Sequence, residues 1–270
     1  MNTLPYELIA LDLDLTLLDE HHAISPRNLS AVKKCTELGV KVVIVSGRMY
    51  CTTLKYLHQM QLDTPVIAYN GSYIKNEHTG EKLLDVELSK EVCMKVVEYC
   101  KQNGLHLNYY YDDVLYVAKE TIWSDLYCGR TGAVPVPVGD LATMADKPAT
   151  KLIIVDDKDN ITKLAEILAP KYAGNAYVTI SNAEYLEFMP PTVDKGKALA
   201  IVAEYFNVPQ AKVIAFGDAR NDIPMLKWAG LGVAMENARP ETIEAADITA
   251  EHHNEDGVAK MLEKIFKLKI

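Results

Sequence analysis

Short apolar runs at 7–12, 40–45 and 65–69 alternate with two helical patterns, and no other feature limits the fold of this chain as tightly. The first run ends in carboxylates. The second is continuous and rich in β-branched residues, as expected of a strand buried on both faces. Between them Ser25 and Pro26 form a helix-start signal. Apolar residues then recur at Ala31, Val32, Cys35 and Leu38, and Gly39 ends the pattern. A second helical pattern covers 50–60. Alternation of the form β-α-β-α-β predicts a parallel sheet with helices on both faces. Such open sheets bind ligands at the carboxyl ends of their strands. The pattern puts Asp12, Asp14, Ser46 and Asn70 at those ends.

The texture changes near Leu84. A helix is predicted over 89–103, then a hairpin of strands 105–111 and 114–118 turning at Asp112 and Asp113. A Gly- and Pro-bearing stretch occupies 129–148. A strand at 151–155, a helix at 160–168 and strands at 176–180 and 184–189 follow. This reads as an α+β module inserted at residues 85–189. The parallel pattern resumes after Pro190 and Pro191, with a helix at 195–205 and a strand at 212–216 ending at Gly217 and Asp218. A helix at 223–228, a strand at 231–235 and a candidate strand at 247–249 complete it. The expected domains are a core of residues 1–84 and 190–270 and an inserted domain of residues 85–189.

A formal net charge of -9 disfavours nucleic acid and anionic membrane as partners, and obliges any phosphate site to gather its own positive charge. No segment has the length and purity of a membrane-spanning helix. The first 18 residues lack a basic start and carry Asp12 and Asp14, unlike a signal peptide. Cys35, Cys51, Cys93, Cys100 and Cys128 are odd in number and form no Cys-x-x-Cys pair, so reduced thiols in a cytoplasmic protein are expected. His21 and His22, like His252 and His253, have no ligand partners at a metal spacing and read as surface residues. Tyr109, Tyr110 and Tyr111 read as strand packing rather than a pocket. Trp123 and Tyr127, one helical turn apart, read more readily as packing than as site residues.

Four clusters fall where predicted strands end or helices begin. In Asp12-Leu13-Asp14-Leu15-Thr16, two carboxylates one residue apart suit Mg²⁺, and one of them can attack phosphorus. Alone this is weak, since Asp-x-Asp-x-Thr arises by composition in roughly one chain in ten of this length, and a solvated turn explains it as well. Val45-Ser46-Gly47-Arg48 offers a hydroxyl and a helix start to a phosphate oxygen, or is an ordinary strand-to-helix turn. Lys195, between Asp194 and Gly196, is a phosphate partner or a solvated lysine at a helix start. Gly217-Asp218-Ala219-Arg220-Asn221-Asp222 is the strong signal, expected by chance in on the order of a few chains per thousand.

In this order the four clusters resemble the haloacid dehalogenase (HAD) superfamily, and more closely its Cof-type (subfamily IIB) sugar-phosphatase branch. The likeness spans almost the whole chain. It takes in Asn70-Gly71, the inserted module, the stretch 232–238 and Asp256-Gly257-Val258. The resemblance implies a doubly wound parallel-sheet core with an α+β cap that lies over the sheet's carboxyl edge, opens and closes, and sets specificity. It implies Mg²⁺-dependent hydrolysis of small phosphomonoesters, sugar phosphates or phosphorylated cofactors, through an aspartyl-phosphate on Asp12. Carried over by match, Asp12 is the nucleophile, and Asp14 protonates the leaving oxygen and later activates water. Asp12, the backbone carbonyl of Asp14 and Asp218 hold Mg²⁺. The backbone N–H of Leu13 with Ser46, Gly47, Lys195 and Asn221 holds the phosphoryl group, and Asp222 is a supporting carboxylate near the metal or Lys195. One departure stands out: Leu15 occupies a tight turn where the family usually has glycine, or sometimes aspartate. A phosphomutase and a non-catalytic phospho-ligand sensor are the rival expectations.

Overall fold

The computed structural model describes residues 4–269. Strand β1 (Leu8–Leu11), helix α1 (Pro26–Glu37), strand β2 (Lys41–Ile44), helix α2 (Tyr50–Gln59) and strand β3 (Val66–Ala68) realise the opening alternation. The Ser25 side chain accepts from the Asn28 N–H with Pro26 in the first turn, which fixes where α1 begins. Strands β4 (Tyr73–Lys75) and β5 (Lys82–Asp85) come next. Then follow α3 (Lys90–Asn103), β6 (His106–Tyr111), β7 (Val114–Val117), α4 (Ile122–Thr131), β8 (Pro135–Pro137), β9 (Lys151–Val155), α5 (Lys158–Tyr172), β10 (Tyr177–Asn182) and β11 (Tyr185–Met189). The chain ends with α6 (Lys195–Tyr205), β12 (Val213–Gly217), α7 (Ile223–Trp228), β13 (Leu231–Met235), α8 (Pro240–Ala245), β14 (Ile248–Ala250) and α9 (Gly257–Phe266).

Two compact units result. One joins the residues up to Leu84 to those from Val193 onward, and the other is Asp85–Thr192. In the first unit, five parallel strands lie in the order β14-β13-β12-β1-β2. Alternate side chains face opposite ways. Leu8, Ala10, Val43, Val213 and Ala215 pack with Ala198, Leu199 and Val202 of α6 and Met225 and Leu226 of α7. Ile9, Leu11, Val42 and Ile44 point to the other face and are equally buried, where α1 packs beside α9. Both faces are thus covered, the doubly wound arrangement expected from the unbroken apolar runs.

The third apolar run departs from expectation. β3 joins the parallel sheet only through a single bridge between Val45 and Ile67, and pairs antiparallel with β4. Tyr69 and Asn70 adopt left-handed backbone, φ 50° and 57°, which turns the chain back into β4. A three-residue strand followed by such a turn cannot continue as a full sheet member.

The second unit is a six-stranded sheet in the order β10-β11-β9-β6-β7-β8. Leu107, Tyr109, Leu152, Ile154, Leu186 and Phe188 form its core with apolar residues of α3 and α5. Tyr109 and Tyr110 are fully buried, and Tyr127 packs edge-on against Tyr110 at 6.2 Å and Tyr185 at 5.4 Å, so the packing reading holds for these three. Helix α4 begins at a capping box in which Thr121 and Ser124 exchange backbone and side-chain hydrogen bonds. Among the described residues, no helix is long and apolar enough to cross a membrane.

Candidate active site

The site is built where strands of the first unit stop. Asp12 follows β1, and its N–H donates to the Phe216 carbonyl at 3.1 Å, tying it to the end of β12. Asp218 follows β12. Lys195 opens α6, whose cap Asp194 accepts from the Lys197 N–H. The fold brings these together. Lys195 Nζ lies 2.6 Å from Asp12 Oδ1 and 2.5 Å from Asp222 Oδ1. Asp222 uses its second oxygen to accept from the N–H groups of Asp218 and Ala219, at 3.0 and 2.9 Å. This close return needs Gly217: a Cβ there would sit 2.5 Å from the Asp222 Cβ.

Asp12, Asp218 and Asp222 are all buried and each places an oxygen within 4.8 Å of the others. The Thr16 hydroxyl donates to Asp218 at 3.1 Å. Three carboxylates thus face one ammonium in a site with little water to screen them. Burial, Asp222, Asp218 and Asp14 push the Asp12 carboxyl well above its ordinary value, against the pull of Lys195. Burial and Asp222 push Asp218 up to about 7. Burial alone would lower Lys195, but Asp12 and Asp222 hold its proton on and move it above its usual range. A cluster of three carboxylates against one ammonium fits a divalent ion such as Mg²⁺, which would offset the excess negative charge.

Asp14 lies apart from that cluster. Arg48 grips both of its oxygens, Nε to Oδ2 at 2.7 Å and Nη2 to Oδ1 at 2.5 Å. Burial would raise the Asp14 carboxyl, but the Arg48 hydrogen bonds and charge more than offset this and hold it below its ordinary value. Arg48 closes the Val45-Ser46-Gly47-Arg48 cluster, and nothing in that local pattern assigns its side chain a role. The only available signal was its position beside Ser46 and Gly47. Ser46 is buried and its hydroxyl accepts from the Arg48 N–H at 3.2 Å. Asn221 Nδ2 donates to Asn70 Oδ1 at 2.8 Å, and a Cβ on Gly47 would lie 2.8 Å from that same oxygen. The phosphate-loop candidates Ser46, Gly47 and Asn221 are thereby gathered around Asn70.

The Asp12–Thr16 motif forms a tight non-helical turn over Leu13–Leu17, closed by the Leu18 N–H donating to the Leu13 carbonyl at 2.9 Å. Leu13 is buried. Leu15 is half exposed and takes φ 58°, the left-handed conformation that explains why glycine suits this position. Its carbonyl accepts from Asn237 Nδ2 at 2.8 Å. The turn therefore forms around leucine. The surface reading of the histidines needs correction at His253. It is buried, and its Nδ1 lies 2.8 Å from the Leu18 carbonyl, which can only accept. His22 is exposed but sits 3.4 Å from Asp14.

An open parallel sheet with a cation-competent acidic centre at its carboxyl edge is the plan of a phosphoryl-handling α/β hydrolase. The chain belongs to the haloacid dehalogenase-like hydrolase family, whose model matches residues 9–262. It is 30% identical over 277 residues to the 5-amino-6-(5-phospho-D-ribitylamino)uracil phosphatase YitU of Bacillus subtilis, covering 99% of this chain and 100% of that one. It is 27% identical over 244 residues to an HMP-PP phosphatase of Serratia proteamaculans, covering 87% and 86%. Among solved structures, a haloacid dehalogenase-like hydrolase from Bacteroides thetaiotaomicron superposes with a TM-score of 0.90 at 29% identity, covering 97% of this chain and 100% of that one.

Proposed function

We propose that this chain is a Mg²⁺-dependent phosphatase that hydrolyses small phosphomonoesters through an aspartyl-phosphate on Asp12. The observation that carries this reading is Lys195, buried between Asp12 and Asp222 beside Asp218. A carboxylate that attacks an anionic phosphoryl group must be ionised, and its repulsion from the substrate must be offset. Lys195 supplies one positive charge at Asp12. When bound by Asp12, Asp218 and the Asp14 carbonyl, Mg²⁺ supplies further positive charge to the phosphoryl oxygens and keeps Asp12 ionised.

The chemistry follows from the side chains. Asp12 attacks phosphorus, the phosphorus–oxygen ester bond breaks, and the leaving oxygen takes a proton from Asp14. Asp14, now ionised, takes a proton from water as that water attacks the phosphorus of the acyl phosphate. Inorganic phosphate leaves and Asp12 is restored. Lys195, Ser46, Gly47, Asn221 and the Leu13 N–H hold the phosphoryl oxygens, because such transfers depend on positioning and charge more than on covalent machinery. Asp222 holds Lys195 and the backbone after β12 in place. We assign substrate selection to the inserted unit, and the relative named for a phosphoribityl compound supports a small phosphorylated metabolite as the class.

The test is turnover of an aryl phosphate with Mg²⁺ by this protein and by Asp12→Asn. Activity is expected only in the parent, with free phosphate as product. Equal rates would refute the role of Asp12, and an isomerised sugar phosphate as product would make the enzyme a mutase.

A further inference from the structure

Arg48 has no part in those steps, yet its side chain is buried. Its Nε and Nη2 form a two-pronged ion pair with the two oxygens of Asp14, at 2.7 and 2.5 Å. Nη2 also lies 3.3 Å from His22 Nδ1, which can only accept from a guanidinium. The guanidinium lies over the Tyr56 ring at 5.6 Å, and the Tyr56 hydroxyl donates to the His22 carbonyl at 3.1 Å. The Arg48 N–H donates to Ser46 Oγ. One residue thus connects the candidate phosphate loop to the candidate acid.

With both oxygens facing N–H donors, Asp14 presents no O–H to a leaving group. Held that way it is a carboxylate with no proton to give, so it must leave the fork, which breaks two charge-assisted hydrogen bonds, and take up a proton from solvent before it can protonate a leaving oxygen. We infer that Arg48 is a positioning residue that parks Asp14 between turnovers, so that release of Asp14 from Arg48 is a conformational step of catalysis. The inference rests on the reading of Asp14 as the acid. Its consequence depends on the leaving group. An alkyl phosphate needs the proton, and so bears the cost of release. A nitrophenyl phosphate, whose leaving group departs as a stable anion, does not.

The test compares kcat/KM for an alkyl and a nitrophenyl phosphate, since kcat/KM covers the steps from free enzyme through the first irreversible one and leaves out hydrolysis of the acyl phosphate. In Arg48→Met the alkyl-to-aryl ratio is expected to rise by on the order of tenfold. Arg48→Lys keeps the charge but not the fork and is expected to raise the ratio less. A ratio that stays level or falls in both variants overturns the inference, because Arg48 would then be structural or would present Asp14 instead of parking it. Circular dichroism and thermal melts check folding, and if Arg48→Met does not fold, Arg48→Lys decides alone. Asp12→Asn is assayed in parallel. Persistent turnover there sinks the proposed function, whereas Asp12-dependent turnover with an unmoved ratio sinks only the role of Arg48.

Discussion

Lys195 Nζ lies 2.6 Å from Asp12 Oδ1 although 183 positions separate them in the chain. The same ammonium is 2.5 Å from Asp222, and both carboxylates are buried. Removing one partner of a buried ion pair leaves the others uncompensated. Lys195→Met is therefore expected to cost about 3–5 kcal/mol of stability, measured by urea denaturation of the metal-free protein. Its turnover should fall by roughly 10²-fold or more, the scale for losing a charge-stabilising donor. A variant within about 1 kcal/mol of the parent would show that Lys195 does not hold the carboxylates together.

Asp218 makes the metal-free protein pH-sensitive. Its carboxyl sits at about 7 against an ordinary value of 3.8, raised by burial and Asp222. The folded form therefore binds this proton more tightly than the unfolded chain. The stability gained from that proton is complete below about pH 4 and is lost as pH rises to about 7. Denaturation with a chelator over this window should show stability declining, and Asp218→Asn should make the decline shallower. Saturating Mg²⁺ should act the same way by binding the ionised carboxylates. An identical slope in parent and variant would rule Asp218 out as the source.

Leu15 tests how firmly the turn over Leu13–Leu17 is held. Glycine at a left-handed position relieves backbone strain but loosens the unfolded chain, so Leu15→Gly should change stability by no more than about 1 kcal/mol. Leu15→Val, β-branched at φ 58°, should cost more than the glycine variant by at least about 1 kcal/mol. Thermal denaturation of the two variants reads the difference, and equal melting temperatures would mean that the turn adjusts its backbone.

Much of this was legible in the chain. The runs at 7–12 and 40–45 are apolar without a break because their strands are buried on both faces, and Ser25 with Pro26 marks the start of α1 at the observed residue. Asp12, Lys195 and Asp218 were identifiable because each lies at the end of a strand or the start of a helix. Other features had no local trace. Arg48 acts on Asp14 across 34 positions, and His253 reaches Leu18 across 235. Neither spacing follows a helical or strand period. The antiparallel pairing of β3 depends on left-handed backbone at Tyr69, Asn70 and Gly71; Asn70-Gly71 is a turn signal in the sequence, but the apolar run before it reads equally well as one more parallel strand.

The sequence by itself determined that the runs ending at Asp12, Ser46 and Asp218 become buried parallel strands, and therefore that these residues stand at their carboxyl ends, because local hydrophobic periodicity and chain direction need no distant partner. Only the tertiary structure decided how those ends share charge. It drew Asp12, Asp218 and Asp222 around Lys195 and left Asp14 in the grip of Arg48. Such pairings are made across the sheet, where burial strengthens every Coulombic contact and distance along the chain has no meaning.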